Sequence, residues 1–108
     1  MSQSTWVVAT KQSKLPEDGM VAVYPKGVAV LLVAHGGSVH AVANRCAHTG
    51  CPLEGGARDG YVITCPCHDW RFDVRTGEML DAPQLRIPVL TVKLEGDEVL
   101  VELPEGGL

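Results

Sequence analysis

Cys46-Ala47-His48-Thr49-Gly50-Cys51 and Cys65-Pro66-Cys67-His68-Asp69-Trp70 carry most of the information in this 108-residue chain. Each stretch offers one Cys and one His at short spacing, Cys-x-His in the first and Cys-x-x-His in the second. Residues 49–64, between His48 and Cys65, are enough for a hairpin that brings the two loops face to face. The thiolates of Cys46 and Cys65 and the imidazoles of His48 and His68 then converge, a donor set that suits zinc or an iron–sulfur cluster. Zinc modules usually place two Cys in one knuckle and two His, or two further Cys, in the other. Here each loop holds one of each, so the loops can give their Cys to one iron and their His to a second.

The segment around these loops differs from its flanks. Residues 44–83 are crowded with Cys, His, Gly and Pro, and all four Cys of the chain fall inside. Only 61–64 and 70–74 read as strands there, and a long turn-rich stretch of this kind is uncommon unless it has a function or an internal staple. Outside it, short apolar runs bounded by Gly, Pro or Asp point to strands at 6–9, 20–24, 28–34, 39–43, 89–94 and 99–103. Pro25-Lys26-Gly27, His35-Gly36-Gly37-Ser38 and Glu95-Gly96-Asp97-Glu98 supply the turns. No stretch has the period of a helix, and the tail after Leu103 is expected to fray. The expected fold is all-β: an antiparallel sandwich or barrel base built from 1–43 and 84–108, with a loop-rich metal-binding subdomain over about 44–83, the whole forming one domain.

Composition narrows the function. The net charge of −4 argues against nucleic acid, because a phosphate-binding face needs clustered Lys and Arg. The longest apolar run, 28–34, falls far short of a membrane span. The N-terminus has neither the basic patch nor the apolar core of a signal peptide, so a cytoplasmic location is expected. In that compartment the four Cys read as metal ligands or redox groups rather than as a secreted disulfide framework. No paired carboxylates or Ser-His arrangement suggests catalysis, so the chain reads as an electron-transfer protein and not as an enzyme.

The ligand spacing resembles that of Rieske [2Fe–2S] proteins, matching the family pattern at all four positions. Trp70-Arg71-Phe72-Asp73 followed by Thr76-Gly77 is similar to the exit of the second ligand loop in small Rieske ferredoxins and nitrite reductase small subunits. Asp81-Ala82-Pro83 sits where the family has a proline-containing loop covering the cluster. The resemblance implies one Rieske cluster on Cys46, His48, Cys65 and His68, with the His edges at the tip where protein redox partners dock. It further implies a carrier taking electrons from a reductase to a terminal oxidoreductase or oxygenase, or alternatively a small subunit of a larger reductase of the nitrite reductase type. Neither partner class involves nucleic acid or membrane.

Two further expectations come from the same resemblance. Respiratory members form a disulfide at the positions of Cys51 and Cys67, so that pair is expected to be bonded here and protected by burial beside the cluster, the alternative being two free thiols packed in the loops. Those members also carry Ser and Tyr where this chain has Trp70 and Phe72. Phe72 has no donor and Trp70 only its indole N–H, so a potential of roughly −150 to +100 mV is expected. Among the remaining groups, His35 and His40 read as ordinary turn and strand residues. Asp59 and Asp73 read as turn residues, and Trp70 as packing against the loops. Gly50, Gly55 and Gly56 serve either tight turns or backbone N–H groups aimed at cluster sulfurs.

Overall fold

The computed structural model describes residues 4–15, 18–46, 51–67 and 69–104. Among them lie strands β1 (Ser4–Lys11), β2 (Gly19–Val23), β3 (Val30–His35), β4 (Ser38–Ala43), β5 (Arg58–Asp59), β6 (Val62–Thr64), β7 (Arg71–Asp73), β8 (Val89–Leu90), β9 (Val92–Glu95) and β10 (Glu98–Pro104). Helical structure among the described residues is confined to two 3-10 turns, Gln12–Lys14 and Pro25–Gly27. The strands form three antiparallel sheets, ordered β1-β10-β9, β2-β3-β4-β8 and β5-β6-β7. The tail at 105–108, expected to fray, lies outside the described residues.

The β3 strand explains how the layers stack. Its Val30, Leu31, Leu32, Val33 and Ala34 are all buried, because β2 and β4 flank it and both of its faces are covered. Side chains alternate between the faces of a strand. Leu31 and Val33 therefore enter one core with Val42, Ile63, Phe72 and Ile87. Val30 and Leu32 enter another with Val7, Ala41, Val99 and Val101. The four-stranded sheet is thus a wall between two cores: β1-β10-β9 closes one, and the segment carrying the Cys closes the other. A fully buried Leu or Val contributes about 1.5–3 kcal/mol, so both layers are anchored to this strand.

The 89–94 run, expected as one strand, is broken at Thr91. Its first half pairs with β4 and its second with β10, while Thr91 accepts a 3.0 Å hydrogen bond from the Glu102 N–H. One apolar run therefore serves two sheets, and unbroken alternation conceals the change. β5, only two residues long, was too short to be seen in the pattern.

A polar and aromatic seam ties the wall to the three-stranded sheet. The Tyr61 ring meets His35 and His40 edge-on at 4.8 and 5.4 Å, and the Arg75 guanidinium lies 4.4 Å above its face. His35 Nδ1 lies 2.8 Å from Asp18, and Arg58 reaches the other oxygen of that carboxylate at 2.9 Å. Arg75 grips Asp73 through two hydrogen bonds, and the Arg75 backbone N–H caps the same carboxylate. Asp73, expected as a turn residue, is the last residue of β7 and caps the turn that follows, as Asp59 is the last residue of β5. His35 and His40 are more than ordinary turn and strand residues, since they join two layers.

This seam gives stability a pH dependence. Burial, and then the neighbouring Arg75, push the His40 imidazole below its ordinary range, while Asp73 pulls the other way. Asp18 is held low by its hydrogen bond to His35 and then by Arg58, and Asp73 by its hydrogen bond to Arg75. A histidine with a depressed folded pKa takes up protons more readily when unfolded. Its contribution is complete above about pH 6.5 and is lost as pH falls through the folded value. The carboxylate contributions are complete above about pH 3.9 and are lost as pH falls through their own lower values. We expect the melting temperature to step down below pH 6.5 in the wild type and not in His40→Gln, with a second step at acid pH common to both. Identical curves for the two proteins between pH 7 and 5 would remove His40 from this account.

Candidate metal centre

The two Cys expected as ligands open two loops that close in the same way. Chain leaving β4 passes Asn44 and reaches Cys46, whose N–H donates to the Cys51 carbonyl at 2.7 Å. Chain leaving β6 reaches Cys65, whose N–H donates to the Trp70 carbonyl at 2.7 Å. In both, the first Cys bonds the residue five positions on. The second loop is pinned again where the Cys65 carbonyl accepts the Asp69 N–H at 3.0 Å. Asp69 sits at φ 59°, a left-handed conformation that Asp tolerates better than most side chains.

Cys46 and Cys65 are 2% and 0% exposed, carry free thiols, and share one core with Leu53, Ile63 and Phe72. Cys51 and Cys67 form a disulfide between the loops. The pairing matches the expectation, but its protection differs: Cys51 is half-buried and Cys67 is exposed, so burial does not shield this bond. The family resemblance pairs the cysteines without showing which way the second one faces.

Three neighbours fix the loops. The Asn44 side chain, 4% exposed, accepts the Leu53 N–H at 2.8 Å and the Glu54 N–H at 3.2 Å, and donates to Glu54 Oε1 at 3.4 Å. Sequence reasoning missed this residue. Its one signal was an Asn ending the apolar run 39–43 just ahead of a Cys. Gly56 is required by close approach, since a methyl there would fall on the Thr64 carbonyl. Its own N–H donates to the Leu53 carbonyl, so it serves the turn and not a sulfur. The segment from Met79 to Ile87 folds over β7, with the Leu80 N–H donating to the Arg71 carbonyl and Ala82 packing on the core that holds the thiols. Trp70 packs on that core as expected. Phe72 is fully buried in it and offers the site no hydrogen-bond donor.

His48 and His68, the expected imidazole ligands, lie outside the described residues, as does Gly50. Among the described residues no three His, Cys, Asp or Glu side chains form a metal cage. The donor chemistry of the described half still fits a Rieske cluster. Two unbonded thiols in one apolar core would carry uncompensated charge as thiolates unless they faced a cation, and sulfur donors favour iron–sulfur clusters or zinc over hard cations. No helix among the described residues is long and apolar enough to cross a membrane.

Comparison with known proteins decides between the metals. The Rieske [2Fe-2S] domain profile matches residues 5–100. The ferredoxin component of the naphthalene 1,2-dioxygenase system of Pseudomonas aeruginosa is 34% identical over 99 residues, spanning 91% of this chain and 95% of that one. The ferredoxin component of biphenyl 2,3-dioxygenase from Rhodococcus jostii (strain RHA1) is 38% identical over 93 residues, spanning 83% and 85%. Among solved structures, the ferredoxin of carbazole 1,9a-dioxygenase from Nocardioides aromaticivorans IC177 superposes with a TM-score of 0.81 at 34% identity, covering 90% of this chain and 96% of that one. A structure attributed to a nitrite reductase small subunit of Mycobacterium tuberculosis superposes with a TM-score of 0.79 at 26% identity, covering 93% and 96%. With its antiparallel β layers and its stapled pair of Cys loops, the chain belongs to the Rieske [2Fe-2S] domain family.

Proposed function

We propose that Cys46 and Cys65 hold one iron and His48 and His68 the other iron of a single Rieske cluster. On this reading 44–83 is the cluster-binding insertion on a base made by 1–43 and 84–108. The protein works in the cytoplasm as a soluble carrier, passing single electrons from a reductase to a terminal oxygenase. The observation that carries this reading is the pair of free, buried thiols at the heads of two identically closed loops joined by a disulfide. The dioxygenase ferredoxins named above support the choice of partner class.

When bound, the cluster supplies one reversible electron-accepting site at a potential above that of all-thiolate ferredoxins, because two neutral imidazoles replace two anionic thiolates. The protein's residues do the rest. Cys46 and Cys65 anchor from the buried side, where Leu53 and Phe72 keep water away. His48 and His68 would each bring a second ring nitrogen able to bind or release a proton as the charge changes, and electrons would pass to the partner through them. Phe72 offers no hydroxyl to stabilise added negative charge, which holds the potential in the lower part of the Rieske range.

Redox-poised electron paramagnetic resonance tests this directly. The expected result is a Rieske-type signal from the reduced protein, with a midpoint at roughly −150 to +100 mV. A colourless, silent protein would leave only a zinc module, and a midpoint near about +300 mV would defeat the argument from Phe72 and Trp70. Co-purification in a fixed ratio with a large catalytic chain would instead favour the nitrite reductase type of subunit.

A further inference from the structure

We infer that Asn44 is a positioning residue for the electron-transfer centre, holding the first ligand loop at a set place against the base. It is the one buried polar side chain among the described residues that belongs neither to the ligand set nor to the seam at Tyr61. Its backbone N–H donates to the Ala29 carbonyl at 3.2 Å, which fixes it to the chain entering β3. Its side-chain oxygen takes both the Leu53 and the Glu54 N–H. An outer ring from 44 to 54 thus encloses the inner ring that the Cys46 N–H closes on Cys51.

The arrangement bears on Cys46 from both sides. Asn44 stands two residues before the thiol, and Leu53, which it holds, is fully buried in the same core as the thiols of Cys46 and Cys65. Truncating Asn44 leaves two N–H groups without their acceptor, the Leu53 one in a dry site, and such groups are costly to leave unmet. They regain partners if the loop shifts toward water. That shift moves Cys46 relative to Cys65 and lets water toward the thiols, and both changes alter the electronics of a bound cluster. Asn44 acts through Cys46 and Leu53 and touches no redox group itself.

The inference rests on Cys46 being a ligand, so the wild type must first show its Rieske signal; a wild type without one defeats that assignment and not this one. Given the signal, Asn44→Ala is expected to bleach at least tenfold faster at 25 °C, with a displaced midpoint potential and altered g-values. Asn44→Asp keeps an oxygen that can accept both N–H groups but turns a second oxygen on Glu54 Oε1, so it is paired with Glu54→Gln, and the double variant is expected to restore the lifetime and the g-values. If Asn44→Ala melts earlier but keeps the wild-type potential and g-values, Asn44 is scaffold alone and the inference fails. It also fails if the Asn44→Asp/Glu54→Gln double variant behaves like Asn44→Ala. Should Asn44→Ala not load, Asn44→Ser decides: its hydroxyl reaches less far, so displaced potential and g-values in a cooperatively folded protein support the inference, and wild-type values overturn it.

Discussion

Cys65→Ser is expected to purify as a colourless protein with no paramagnetic signal on reduction, and Cys46→Ser to behave alike. The exchange is nearly isosteric and leaves the backbone bonds untouched, including the Cys65 N–H to Trp70 and the Cys65 carbonyl from Asp69. The chain can therefore still fold around the second loop, and what is lost is ligand chemistry. A serine hydroxyl does not ionise near neutral pH and is a harder donor than a thiolate, so it gives an iron–sulfur cluster little to bind. A second loss follows by linkage. Any group that binds the folded chain alone stabilises it by about 4 kcal/mol once present at a thousand times its dissociation constant. Cys65→Ser gives up that contribution and leaves a hydroxyl in the fully buried place of the thiol. Visible absorption and thermal melting check both halves, and a variant with the wild-type spectrum would strike Cys65 from the ligand set. His48→Ala provides the matching test for a proposed imidazole ligand: an intact cluster with an unchanged rate of reduction by partner would remove His48 as the route for electrons.

Features set by residue type at fixed spacing could be read from the chain, whereas features set by what folds onto them could not. The four proposed ligands stand out in the sequence because few other purposes need Cys-x-His and Cys-x-x-His at this separation. β3 was visible as an unbroken apolar run, and the structure drops Val28 and Ala29 from its start and adds His35 at its end. Asn44 escaped because its partners are backbone groups nine and ten residues away, and an N–H leaves no mark in a sequence. The change of sheet at Thr91 escaped because alternation continues through it. The Tyr61 ring meets His35 on β3, His40 on β4 and the Arg75 guanidinium, and none of these three contacts is local in sequence. The Cys51–Cys67 bond was expected from family resemblance, which says nothing about exposure, and there the expectation needed correction.

The disulfide carries the other large effect. Cys51 and Cys67 are 16 residues apart, and cross-linking a loop of that size removes enough freedom from the unfolded chain to stabilise the fold by about 3 kcal/mol. In a domain of this length that corresponds to roughly 10–20 °C in melting temperature, the expected loss in the Cys51→Ser/Cys67→Ser double variant. Because Cys46 and Cys65 remain, the variant should still take up iron and show the Rieske signal, which separates the staple from the ligands. Exposure adds a condition that burial would have excluded. A bond with one sulfur-bearing residue at the surface is open to attack by thiolate, so a thiol reductant in the buffer should bring the wild type down to the variant's melting temperature. Alkylation before and after reduction, read by mass spectrometry, counts the cysteines released. Labelling at Cys51 and Cys67 without reductant would show the bond absent in solution, and equal melting temperatures with and without it would show that the Asn44 bracket and the shared core hold the two loops together unaided.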